Sequence, residues 1–101
     1  MEIKELSPFT KWFKNIKDFP TKKKIWDFIL RVASGNFTNV ESVGSGIQEI
    51  KIHYKKGYRV YFITRGNFLI ILLLGGDKGS QQNDIKKAKE LKEYFKEIIQ
   101  E

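Results

Sequence analysis

The chain has no cysteine, which removes disulfides, thiol nucleophiles and cysteine-based zinc sites from consideration. It has one histidine, His53, so neither a histidine metal cluster nor a serine–histidine triad is expected. No metal or other cofactor is expected. No phosphate-binding loop of the Gly-Lys-Ser/Thr type occurs: Gly75-Gly76-Asp77-Lys78-Gly79-Ser80 has the wrong spacing and order. The longest apolar run, Phe68 to Leu74, is far short of the roughly 20 residues that a membrane helix needs. The first residues, Met-Glu-Ile-Lys-Glu-Leu, lack the basic region and apolar stretch of a signal peptide. A soluble, cytoplasmic protein without a membrane partner is the expectation.

What is present is cationic. Nineteen Lys and Arg against 12 Asp and Glu leave a formal charge of +7, which attracts polyanions at long range. Charge alone leaves contact with nucleic acid at even odds, against an acidic protein partner or a surface that is merely lysine-rich. Hydrophobic content of 41%, with 14% aromatic, is that of a folded domain, and 101 residues suffice for one modest core. Residues 1–101 therefore read as one domain.

Periodicity predicts an α+β order of β-α-α-β-β-β-α with a small, mainly antiparallel sheet of about four strands. Ile3 to Leu6 reads as a short strand. Ser7 as cap and Pro8 at the first helical position open a helix whose apolar stripe is Phe9, Trp12, Phe13 and Ile16. Phe19-Pro20-Thr21 interrupts it, with Thr21 as the next cap, and Ile25, Phe28, Ile29 and Val32 form a second stripe. The two helices make an αα-hairpin. Phe37 to Gly46 reads as a connector. Strands follow at Ile47–Tyr54 and Tyr58–Arg65, joined through Lys55-Lys56-Gly57, and the non-alternating Phe68 to Leu74 reads as a central strand buried on both faces. A polar stretch precedes a last helix from about Asp84, with Ile85, Ala88, Leu91, Phe95, Ile98 and Ile99 inward.

If this composition supports catalysis, the chemistry must run on Lys, Arg, Glu and Tyr. RNA cleavage through the 2′-hydroxyl meets that condition, because the RNA supplies its own nucleophile. The protein then has to hold an in-line geometry, offset charge on the phosphorane and move two protons. An arginine fork suits a non-bridging phosphate. Arg59 and Lys51 share one predicted strand face with Glu49 and His53. Arg59 also reads as a partner for an ion pair with Glu49 across the hairpin.

Three stretches carry a family resemblance. Gly44-Ser45-Gly46-Ile47-Gln48-Glu49-Ile50-Lys51-Ile52, Gly57-Tyr58-Arg59-Val60-Tyr61-Phe62 and Leu73 to Ile85 resemble successive signatures of the HigB-like, addiction-module killer branch of the RelE/ParE toxin superfamily. Gly35-Asn36-Phe37 fits the same pattern. The resemblance implies a RelE-like fold and a bacterial type II toxin neutralised by a cognate antitoxin, a small helix-turn-helix protein. It implies a ribosome-dependent mRNA endonuclease, or mRNA interferase, with messenger RNA and the ribosome as partners. The alternatives are a ParE-like inhibitor of DNA gyrase without catalysis and a non-catalytic homologue that only binds an antitoxin. By position, Arg59 resembles the strand arginine at the scissile phosphate. Lys51 resembles a base or charge stabiliser on the preceding strand, and Lys78 stands near the leaving group. Glu49 and His53 are further catalytic candidates, and Lys55, Lys56 and Arg65 are candidates for RNA contact. Tyr94 lies on the final helix.

Overall fold

The computed structural model describes residues 1–99. Strand β1 (Glu2–Glu5) is followed by helices α1 (Ser7–Lys14) and α2 (Phe19–Ala33). Strands β2 (Val40–Gly44), β3 (Ile47–Ile52), β4 (Tyr58–Arg65) and β5 (Leu69–Asp77) come next, then a 3₁₀ turn at Lys78–Ser80, α3 (Gln81–Tyr94) and a short α4 (Lys96–Ile99).

The sheet has five strands in the order β1-β5-β4-β3-β2, one more than the pattern predicts. The added strand is β2, inside the expected connector. Val40 and Val43 turn partly inward, and a tight turn at Gly44-Ser45-Gly46 lets the segment pair with β3 from Val40–Ile50 to Gly44–Ile47. β1 runs parallel to β5, and the other three pairings are antiparallel, so the sheet is mixed.

Alternation on β3 and β4 sorts side chains between two layers as expected. Ile50, Ile52, Val60 and Phe62 join Phe9, Ile25, Ile29 and Val32 beneath α1 and α2. Ile47, Tyr61 and Ile63 join Leu6, Leu73, Leu74 and Ala88 beneath α3. β5 contributes to both clusters, Ile70 and Leu72 to one and Ile71 and Leu73 to the other, which is why its sequence does not alternate.

Five boundaries differ from expectation, each for a local reason. Leu6 occupies the cap position of α1 and Ser7 lies inside the helix, making no capping bond. Asp18, not Thr21, caps α2: its carboxylate accepts the Thr21 N–H at 3.1 Å and the Thr21 hydroxyl at 2.5 Å. β3 ends at Ile52, so His53 lies past the strand, exposed in the turn. β5 runs on through Gly75-Gly76-Asp77, where a break was expected, and α3 starts at Gln81 rather than Asp84. The glycines permit this, because a Cβ on Gly75 would overlap the Trp12 ring and one on Gly76 would overlap the Asp84 carboxylate. In the expected last stripe, Ala88 is buried and Ile85, Leu91 and Phe95 are half-buried. The side chains of Ile98 and Ile99 lie outside the described part. No helix among the described residues is long and apolar enough to cross a membrane.

Candidate functional site

The two faces of the sheet differ at the end where β3 stops, β4 begins and α3 starts. Register sets Lys51 opposite Arg59, and Arg59 opposite Gly76, so one row crosses three strands on the α3 side. Opposed side chains in such a row stand about 5 Å apart at Cβ. Gly76 has none, and Asp84 fills that place from α3.

Arg59 is only 9% exposed and Glu49 is fully buried. Their pair, Nη1 to Oε1, measures 3.3 Å, and the Gln81 amide donates to the other Glu49 oxygen at 2.9 Å. Both Glu49 oxygens are thereby engaged. From Arg59, Nη1 alone makes a hydrogen bond among the described residues, so most of the guanidinium fork remains available. Tyr61 lies opposite Glu49 in the register. Burial pushes its hydroxyl far above the usual phenol value, and the nearby Glu49 carboxylate adds to the effect. Among the described residues no acceptor meets that hydroxyl at hydrogen-bonding geometry. The Ser80 hydroxyl donates to Asp84 Oδ2, and Asp77 accepts from the Gly79 and Ser80 amides, which fixes the turn leading into α3.

The other expected residues divide by position. Lys51, partly exposed, pairs with Glu41 of β2 at 3.1 Å. Lys78 is exposed beyond β5; its amide donates to the Gly57 carbonyl at 3.2 Å, and its stem lies by Gly57, placing it at the β3–β4 turn. Lys55 pairs with Asp18 at 2.9 Å and Lys56 with Asp77 at 3.5 Å, both at this same end of the sheet. Hydrogen bonds from Thr21 and Lys55 hold the Asp18 carboxyl below its ordinary value, and the bond to Asp18 raises Lys55. Arg65 is not part of this group. It ends β4, six residues beyond Arg59 or about 20 Å along the strand, and donates to the Thr64 carbonyl. Tyr94 stands exposed far along α3, with Phe95 against its ring.

Sequence reasoning missed Gln81, Ser80 and Asp84 as members of this cluster. Placing the helix start three residues late hid Gln81. The usable signal was Gly76, whose missing side chain makes room for Asp84.

No family model matches the chain. It is 43% identical over 89 residues to an uncharacterized protein of Haemophilus influenzae strain Rd, covering 88% of this chain and 90% of that one. Among solved structures it resembles a chain of the intact E. coli RelBE toxin–antitoxin complex, with a TM-score of 0.62 and 12% identity, over 74% of this chain and 93% of that chain. The chain thus has the RelE-like fold and belongs to one family with the uncharacterized Haemophilus influenzae protein.

Proposed function

We propose that this protein is the toxin of a type II toxin–antitoxin pair and cuts messenger RNA on the ribosome, a cognate antitoxin holding it inactive. The observation that carries this reading is the row Lys51–Arg59, with a guanidinium held at one nitrogen and Lys78 at the adjoining turn. The shared fold with a chain of a toxin–antitoxin complex and the HigB-like signatures agree with it.

In this reading the Arg59 fork takes the non-bridging oxygens of the scissile phosphate and offsets charge as the phosphorane forms. Lys51, next in the row, stands toward the 2′-hydroxyl and favours its deprotonated form, the proton passing to solvent water as the 2′-oxygen bonds to phosphorus and the bond to the 5′-oxygen breaks. Lys78 stands toward the leaving 5′-oxygen, to which it supplies a proton. Glu49 is too deeply buried to reach RNA; it positions Arg59 and is not the base. His53, outside the strand, has no part in the row.

One observation favours a second reading, binding without catalysis: Arg59 is nearly buried and charge-paired, as a structural arginine would be. A translation reaction with primer extension along the message, run beside a gyrase supercoiling assay, separates the cases. Cuts inside ribosome-bound codons with untouched gyrase are expected. Intact message with trapped gyrase–DNA would reject the nuclease reading in favour of gyrase poisoning. Intact message and active gyrase, with antitoxin binding retained, would leave the binding-only reading.

A further inference from the structure

The elbow between α1 and α2, on the sheet face opposite Arg59, has features that the proposed site does not use. Phe19, in the first turn of α2, is 73% exposed although it is a large apolar ring. Beside it, Phe13 and Trp26 form a tilted ring pair with centroids 5.8 Å apart, and the Lys22 ammonium lies 5.0 Å over the Phe13 ring. With Lys23 and Asp27 these residues line a hollow of about 300 Å³. Residues 11–27 contain six lysines and two acids, Asp18, engaged by Lys55, and Asp27, engaged by Lys23 at 3.2 Å. Lys11, Lys14 and Lys17 make no ion pair among the described residues.

The same chemistry continues around the end of the sheet. Lys24 and Lys55 both lie over the Tyr54 ring, at 5.7 and 5.5 Å, and Lys56 lies 5.8 Å over Tyr58. Alternating rings and ammonium groups therefore run from the elbow through the β3–β4 turn to the neighbourhood of Lys78.

We propose that the α1–α2 elbow is a stacking platform for single-stranded RNA, with Phe19 and Trp26 receiving a base and Lys22 the adjacent phosphate. Exposed rings set among lysines that outnumber the neighbouring acids are the arrangement that binds flexible single strands, since every base has a stacking face while the backbone is uniformly anionic. The hollow is small, about 300 Å³, and its lining carries two lysines against one acid, which suits an anionic strand. The platform extends the nuclease reading by giving the strand a second hold beyond the Lys51–Arg59 row, and its binding is measurable without cleavage.

The test is binding of a fluorescent single-stranded RNA of about 12 nucleotides, within the span such surfaces occupy. Phe19→Ala, at an exposed position, should weaken binding about tenfold, in line with the loss of one stacked base. Replacing Lys22 with Gln should flatten the salt dependence by about 0.7 in log–log slope, because one phosphate is no longer neutralised. In a Trp12→Phe background, the RNA should quench Trp26 emission. Unchanged binding by Phe19→Ala, unchanged Trp26 emission, or at least tenfold tighter binding of duplex RNA or of a DNA strand of the same sequence would overturn the platform. If Phe19→Ala binds like the parent while the message is still cut, the platform fails alone. If binding depends on Phe19 but nothing is cut, the nuclease reading fails and the platform stands.

Discussion

The two faces of the sheet solve the same packing problem differently. Under α1 and α2 the buried cluster consists of apolar side chains, with Phe9, Ile25, Ile29, Ile50, Phe62 and Leu72 at its centre. Under α3 the apolar cluster stops at Tyr61, and beyond it lie Glu49, Arg59 and Asp84, all nearly or fully out of solvent. An apolar layer is stabilised by area and tolerates swaps of similar volume. A buried charge is held only while its partner remains, and well-packed apolar residues would often be at least as stable in its place. Keeping charge under α3 is therefore poorly explained by stability. The arrangement suits a guanidinium held ready for an anion.

Breaking the polar face should cost most. Glu49→Ala strands the Arg59 charge and should lower stability by about 3 kcal/mol, read from urea unfolding. Glu49→Gln combined with Arg59→Gln removes both charges and should cost far less. If the single and double variants lose the same amount, the pair is not what holds this face together. Gly76→Ala follows, at about 2 kcal/mol, because the added methyl drives Asp84 and the start of α3 away from the strand. A neutral result would mean that α3 is not seated on Gly76.

Tyr61→Phe sharpens the contrast in the other direction. It deletes a buried hydroxyl that lacks a partner among the described residues and should stabilise by about 1 kcal/mol. The raised Tyr61 value also has a pH consequence. In the unfolded chain the phenol ionises near its ordinary value of 10, whereas in the folded protein it stays protonated, so stability falls as pH rises above 10. The Phe variant should lose less over that range in melts taken at successive pH values.

The smallest effect belongs to the elbow. Asp18 sits below its ordinary 3.8 when folded, so its contribution is present above that value and disappears as pH falls through the lowered one. Asp18→Ala should lower the melting temperature by several degrees at neutral pH and by almost nothing at strongly acid pH. An equal loss at both would assign the effect to something other than the carboxylate.

Much of this was legible in the residues. The alternation of Ile47 to Ile52 and of Tyr58 to Arg65 placed Glu49, Lys51 and Arg59 together on one face, and the unbroken apolar run marked β5 as buried on both faces, although the middle strand is β4. Three things were not legible. β2 carries only Val40 and Val43 as inward residues, too weak a pattern to separate an edge strand from a connector. Gly75-Gly76 reads as punctuation until tertiary contact shows that Trp12 and Asp84 need the space. Lys51, Lys78 and Arg65 look alike as cations in sequence, and only strand length separates Arg65 from the other two.

The most direct measurement of the central claim is the rate at which ribosome-bound message is cut by the Glu49→Gln, Arg59→Gln protein, beside the parent and Glu49→Gln alone. With circular dichroism showing all three folded, the double variant should cut at least about 100-fold more slowly, the scale for losing a preorganised charge at a reacting oxyanion. Glu49→Gln alone, which keeps the guanidinium, should lie between the two. A double variant that cuts at the parental rate would contradict the account and leave Arg59 as a structural arginine.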